Sequence, residues 1–129
     1  MPSQNPLGIG FIGAGDVSDL HARAVQSCRG AELKGLWNRT VPRAESKATY
    51  FGCRRYETAE ELIADPAIDA VFVLTNLETH FHYTSLALKG GKHVLVEKPA
   101  GVDTGEIEAM QRLAADRRLF CVPGHNYIY

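Results

Sequence analysis

The chain has 129 residues, 45% of them hydrophobic and 22% charged, with a formal net charge of −1. It is long enough for one domain with a real core, and it carries no basic field that would argue for nucleic acid or an anionic membrane as partner. Its three scattered cysteines, Cys28, Cys53 and Cys121, form no C-x-x-C, which favours reduced thiols in a cytoplasmic protein. The start Met1–Pro6 lacks the charged and apolar regions of a signal peptide, and no apolar run approaches the length of a membrane span.

Leu7–His21 reads as a buried strand, a glycine turn and a helix start. Gly8, Gly10 and Gly13 fit G-x-G-x-x-G formally, but Gly8 and Gly10 lie inside the apolar run Leu7–Ile12, and a phosphate loop must follow its strand. The register that remains is Gly13-Ala14-Gly15-Asp16-Val17-Ser18. Gly13 would make the tight turn, Gly15 would let the backbone approach a pyrophosphate, and Ser18 would be the small residue where helix packs on strand. Free N–H groups and the positive helix end would face the phosphates. The same residues also fit a tight turn with no ligand.

Val17, Leu20, Ala24, Val25 and Cys28 recur at helical spacing, with His21 as a packed or half-exposed histidine and Gly30 as the stop. Ala31–Trp37 reads as the second strand, followed by Asn38-Arg39-Thr40. In a dinucleotide fold an acidic residue here would bind the ribose hydroxyls and repel a 2′-phosphate. Asn38 removes that repulsion, while Arg39 and Arg43 supply positive charge and Thr40 a hydroxyl. The alternative is an Asx or Thr turn with solvated arginines.

A helix is predicted over Val41–Phe51 with Pro42 in its first turn and Gly52 as its stop. Arg54–Tyr56 is a short third strand, and Thr58-Ala59-Glu60-Glu61 a capping box opening a helix that ends near Asp65-Pro66. Asp69–Leu74 is apolar enough for a central parallel strand. The turn Thr75–His80 leads into a helix that runs to Lys89 and ends at Gly90-Gly91. His80 and His82 fall on different helical faces and do not make a metal pair. Lys92–Val96 is the fifth strand and delivers Glu97-Lys98-Pro99. Asp103-Thr104-Gly105-Glu106 is a second capping box, its helix burying Ile107, Met110, Leu113 and Ala114, and Leu119–Val122 is the sixth strand.

Strands and helices thus alternate with crossovers long enough for parallel pairing. The expected fold is a doubly wound α/β domain, a Rossmann-type six-stranded sheet in the order 3-2-1-4-5-6. Ligands should collect at the carboxyl ends of the strands. Those ends carry Gly13–Asp16, Asn38–Thr40, Thr75–His80, Glu97–Pro99 and Gly124–Asn126. The candidate cofactor contacts are Gly13, Ala14, Gly15, Asp16, Val17, Asn38, Arg39, Thr40, Arg43, Thr75, Asn76, His80, Glu97, Lys98 and Asn126. No metal site is expected.

GAGDVSDLH, DAVFVLTNLETHFHYTSLALKGGKHVLVEKP and PGHNY together resemble the Gfo/Idh/MocA oxidoreductases, and the segment GKHVLVEKP is quite specific. The resemblance implies an N-terminal NAD(P)-binding Rossmann domain, here residues 1–129, that precedes a substrate domain. It implies hydride transfer between a nicotinamide cofactor and a small-molecule sugar, inositol or related polyol. Lys98 matches the family's active-site lysine, which would hydrogen-bond the reacting oxygen and assist proton transfer. Two positions depart from the pattern: Asn76 stands where the family often has proline, and Asn38 where it often has an acidic residue. The second makes NADP the expected cofactor, with NAD as the alternative. The family's catalytic histidine and its acidic partner lie in the second domain, so neither His80 nor His125 takes that role. The 129 residues alone are expected to bind cofactor without oxidising polyols. A homo-oligomer would form through an open sheet of the substrate domain. The rival readings are a non-catalytic NAD(P)-binding sensor or interaction module, and a structural α/β module without a nucleotide.

Overall fold

The computed structural model describes residues 6–97 and 104–124. Lys98, Pro99, Asp103, His125 and Asn126 therefore lie outside the described residues.

Eleven described elements alternate: β1 (Leu7–Ile12), α1 (Val17–Gln26), β2 (Ala31–Trp37), α2 (Val41–Phe51), β3 (Arg54–Arg55), α3 (Ala59–Ala64), β4 (Ala70–Val73), α4 (Leu77–Lys89), β5 (His93–Glu97), α5 (Thr104–Asp116) and β6 (Cys121–Gly124). The strands form one sheet in the order β3-β2-β1-β4-β5-β6, and every adjacent pair is parallel. This is the expected order. Strand ends differ from the sequence reading by one or two residues. Asp69, for example, stands just before β4; its carboxylate accepts the Gly8 N–H at 2.8 Å, and its own N–H donates to Gly8 O at 2.7 Å.

Two apolar layers sandwich the sheet. Ile9, Phe11, Leu36 and Leu74 pack with Ala22, Val25, Ala44 and Phe51 of α1 and α2. Ile12, Val71, Val73 and Val96 pack with Leu62, Leu88 and Ala114 of α3, α4 and α5. Alternate residues of β1 thus feed opposite layers, as a two-faced central strand requires. Gly10 belongs to this packing: a Cβ there would stand 2.8 Å from Leu62 Cδ2. That close approach explains a glycine in mid-strand without any ligand.

Local chemistry sets the helix ends. Thr58 and Glu61 form the reciprocal capping box that the sequence predicts, and Gly52 ends α2 in the left-handed conformation, φ +72°. Two expectations fail. Gly30 does not cap α1, which closes instead at Ser27, whose N–H bonds Arg23 O at 3.1 Å. The buried face of α1 is Ser18, His21, Ala22 and Val25, whereas Leu20 is 39% exposed and Ala24 and Cys28 are exposed. Ser18 ties that phase to the entry turn: it is fully buried and its Oγ donates to Gly15 O at 2.6 Å. In α5, Met110 and Ala114 are buried as expected, but Ile107 is 39% exposed.

At the opposite edge of the sheet, Tyr56 Oη donates to Asp65 Oδ2 at 2.5 Å, and Asp65 Oδ1 accepts the Ala67 N–H at 2.8 Å. These bonds, joined by the Arg54 and Lys92 charges, hold the Asp65 carboxyl below its ordinary value. Burial, then the bond to Asp65, pushes the Tyr56 phenol up to about 12. A depressed carboxyl stabilises the fold fully above its unfolded value of 3.8 and loses that contribution as pH falls. A raised phenol stabilises fully below 10 and loses its contribution as pH rises towards 12. Urea unfolding across pH should therefore show an acid limb that is shallower in Asp65→Asn and an alkaline limb that is shallower in Tyr56→Phe.

Candidate functional site

Three strand-end segments meet at the carboxyl edge between β1, β2 and β4, where the chain order reverses. They enclose an open cleft of about 310 Å³ lined by Gly13, Ala14, Gly15, Trp37, Asn38, Arg39, Thr40, Arg43, Leu74, Thr75, Asn76, Thr79 and Tyr83.

The first segment follows β1. Gly13 has φ +109°, and a Cβ on it would come within 2.8–2.9 Å of the Leu74 and Thr75 backbone. Only glycine fits that turn. Gly13→Ala is expected to cost about 2–5 kcal/mol, from left-handed strain and overpacking together; urea unfolding measures it. Gly15 is different: its φ is ordinary and a Cβ there would meet nothing within 4 Å. The fold does not need a glycine at that point, whereas an occupant of the cleft would.

α1 starts immediately afterwards. Ser18 N–H returns to Gly15 O at 3.0 Å and Asp19 N–H to Asp16 O at 3.3 Å, and Ser18 Oγ donates to Gly15 O at 2.6 Å. Among the described residues, the N–H groups of Gly15, Asp16 and Val17 have no protein acceptor. Free N–H groups at the positive end of a ten-residue helix suit an anion. Asp16 does not line the cleft; its exposed carboxylate lies 3.9 Å from Arg43 Nη1. Val17 turns away and packs on the α1–α2 layer.

The second segment follows β2 and is tied to the first. Asn38 Oδ1 accepts the Ala14 N–H at 2.9 Å, while its Nδ2 donates to Thr40 Oγ1 at 2.7 Å. Thr40 takes the N-cap position of α2, but its hydroxyl is held by Asn38 and caps nothing. Arg39, Thr40 and Arg43 are exposed at the rim.

The third segment follows β4. Thr79 Oγ1 donates to Thr75 Oγ1 at 2.7 Å, and Tyr83 lies one turn further along α4, its ring centroid 5.4 Å from that of Trp37. Burial and the Glu60 charge raise the Tyr83 phenol against the opposing pull of Arg39. Trp37, Leu74 and Tyr83 are additions to the site that the sequence reading does not contain, and Thr79, inside the turn Thr75–His80, is not singled out there as a contact. The signal for Thr79 and Tyr83 lies in the spacing: they stand four apart on the cleft face of α4 and continue the line from Thr75 in the turn before it. His80 belongs to the other face. It is 3% exposed, beside buried Thr84 and Ala87, and its Nε2 lies 2.7 Å from Thr75 O. A carbonyl only accepts, so Nε2 carries the proton and His80 braces the turn from beneath.

Glu97, at the end of β5, also lies outside the cleft lining. Its Oε2 is 2.7 Å from Nε2 of His21, which is 1% exposed. Among the described residues there is no group of three histidine, cysteine or acidic side chains placed to hold a metal, and no described helix is long and apolar enough to cross a membrane.

Residues 7–125 match the family described as an oxidoreductase family with an NAD-binding Rossmann fold, GFO_IDH_MocA. Among curated proteins, UDP-N-acetylglucosamine 3-dehydrogenase of Acidithiobacillus ferrooxidans is 33% identical over 116 residues, which is 90% of this chain and 36% of that protein. Glucose-6-phosphate 3-dehydrogenase of Bacillus subtilis is 34% identical over 121 residues, 94% of this chain and 34% of that protein. Among solved structures, a 3-ketoreductase from Actinomadura kijaniata in complex with NADP and TDP-benzene superposes with TM-score 0.89 at 29% identity, covering 93% of this chain and 37% of that one. A protein of gentamicin A biosynthesis in complex with NAD gives TM-score 0.92 at 28% identity, covering 100% and 38%. The chain spans about a third of the length of these relatives.

Proposed function

Since the chain belongs to the Gfo/Idh/MocA oxidoreductase family, with its NAD-binding Rossmann fold, we propose that residues 1–129 are the dinucleotide-binding domain of a dehydrogenase or reductase that acts on a secondary alcohol, or the matching ketone, of a sugar, inositol or related polyol. The relatives named above are a 3-dehydrogenase of UDP-N-acetylglucosamine, a 3-dehydrogenase of glucose 6-phosphate and a 3-ketoreductase. Their names supply the substrate class of this reading.

The observation that carries it is Gly15. Gly10 and Gly13 are pressed against protein atoms, but Gly15 stands over open space beside three free N–H groups. Those N–H groups would hold the pyrophosphate, and Thr75 and Asn76 would border the ribose from the β4 side. Arg39, Thr40 and Arg43 would take a 2′-phosphate, which makes NADP the preferred cofactor over NAD. Bound there, the nicotinamide supplies the hydride donor or acceptor. Lys98, one residue beyond β5, would hydrogen-bond the reacting substrate oxygen and help move its proton. A residue from outside these 129 would act as the main acid or base. The cytoplasm, where free thiols stay reduced, is the proposed location.

Turnover tests the reading: NADP⁺ reduction with a panel of inositols, aldoses and sugar acids, by this chain and by the longest product of its gene. Activity that falls ~10²–10⁴-fold in Lys98→Ala supports it. Activity indifferent to Lys98 removes the lysine from the mechanism; this chain alone is expected to bind cofactor without turnover, whereas binding without turnover on any polyol by the longest product favours the sensor.

A further inference from the structure

We propose that Trp37 and Tyr83 are the base-holding residues of the cleft, an aromatic wall on which the adenine ring of the dinucleotide stacks. The inference deepens the cofactor reading given above and rests on it. Trp37 ends β2 and Tyr83 stands in the middle of α4, yet their ring centroids are 5.4 Å apart at 55°. Both rings are half-buried. Each packs against the apolar layer of Ile12 and Leu62, and each lines the cleft with the surface that remains. Tyr83 is also braced along its own helix by the His82 ring, centroids 4.8 Å apart at 67°.

The polar atoms beside this wall are already committed. Thr79 Oγ1, one turn before Tyr83, donates to Thr75 Oγ1 at 2.7 Å and lies 3.0 Å from both Asn76 O and Asn76 Oδ1. Asn38 uses both ends of its amide on Ala14 and Thr40. Between α4 and the end of β2 the cleft therefore offers flat aromatic surface, which suits a planar ring. The arginines decide which ring. Arg39 follows Trp37 by two residues, and Arg39 and Arg43 line the same cleft. The 2′-phosphate they would take sits on the adenosine ribose, so the base within reach of Trp37 and Tyr83 is adenine and not nicotinamide. The volume agrees: about 310 Å³ is the low end for small-molecule sites, roughly 300–1,000 Å³, and suits one nucleoside with its phosphates. Burial, then the Glu60 charge, keeps the Tyr83 phenol protonated, so the ring presents no negative charge to those phosphates.

Trp37 is the chain's one tryptophan, so its emission reports on the wall without any substitution. NADP⁺ and adenosine 2′,5′-bisphosphate are each expected to cause a saturable loss of that emission. Inorganic pyrophosphate, which has no base, should leave the emission unchanged at concentrations that shift the Gly15–Val17 amides. Tyr83→Leu, which keeps the apolar packing, should weaken adenosine 2′,5′-bisphosphate about 5- to 150-fold, the loss of one base–aromatic stack. Tyr83→Phe keeps the ring and should stay within about threefold of the parent. Bound NADP⁺ that leaves Trp37 emission unchanged overturns the inference, as does quenching by pyrophosphate equal to that by NADP⁺. Equal affinity in Tyr83→Leu and the parent overturns it too, as does equal loss in Tyr83→Leu and Tyr83→Phe. Gly15–Val17 amides that ignore NADP⁺ overturn the cofactor reading itself, and this inference with it. Should Tyr83→Leu not fold, Trp37 emission in the parent decides, with pyrophosphate as the control that lacks a base.

Discussion

Gly15→Val is expected to weaken NADPH binding at least about a hundredfold while the domain stays folded. The two halves of that expectation come from one measurement of space. A Cβ at Gly15 meets no protein atom within 4 Å and φ there is not left-handed, so a side chain can start at that point without a backbone clash. Loss of glycine flexibility in the unfolded chain even favours the native state, by roughly 0.4–1 kcal/mol. The branched side chain would, however, take up room in the cleft that Gly15 lines, next to the free N–H groups of the turn. Losing two charge-assisted bonds of about 1.5–3 kcal/mol each, with roughly tenfold in affinity per 1.4 kcal/mol, gives a loss of two orders of magnitude or more. Fluorescence titration and circular dichroism on one sample decide it. Unchanged affinity in a folded variant would mean that the turn serves the fold alone.

Asn38→Asp is expected to exchange the cofactor preference, from NADP towards NAD, by about tenfold to a hundredfold. The introduced carboxylate can still accept the Ala14 N–H, as Asn38 does at 2.9 Å, so the link between the two loops survives. It cannot donate to the Thr40 carbonyl, as Asn38 does at 3.2 Å, but it can accept the Thr40 hydroxyl proton, so that contact reverses its direction. The new charge also lines the same cleft as Arg39 and Arg43, where it would repel the proposed 2′-phosphate. Arg39→Ala should weaken NADPH more than NADH for the complementary reason. Paired NADPH and NADH titrations of the parent and both variants measure this directly. If both cofactors lose equally in Arg39→Ala, the arginine contributes only general attraction.

The strand order and the crossover pattern can be read from the sequence because each element carries its own punctuation. The Thr58–Glu61 box, Gly52 and the apolar run Asp69–Leu74 are local signals, and each marks its element to within a residue or two. The phase of α1 cannot be read in this way. Leu20 and Ala24 are as apolar as the residues that are buried, and only the tertiary position of the Gly13–Asp16 turn decides which face meets the sheet. The same limit hides the His21–Glu97 bond, since nothing in a local pattern joins residues 76 apart. At the site, the glycine register can be chosen because a phosphate loop must follow its strand. The aromatic wall escapes the sequence because Trp37 reads as the end of a strand and Tyr83 as mid-helix; the cleft appears only when those two elements are brought side by side. Position at a helix start points His80 towards the site, but its spacing with Thr84 and Ala87 puts it on the core face.

A nicotinamide dinucleotide at the carboxyl edge of β1, β2 and β4 should be seen most directly in the backbone amide spectrum of the ¹⁵N-labelled chain titrated with NADPH. Saturable shifts are expected, largest at Gly15, Asp16 and Val17, with a second set at Arg39 and Thr40 that NADH does not reproduce. No saturable shift at the Gly15–Val17 amides, or shifts confined to another face of the sheet, would contradict binding at this edge.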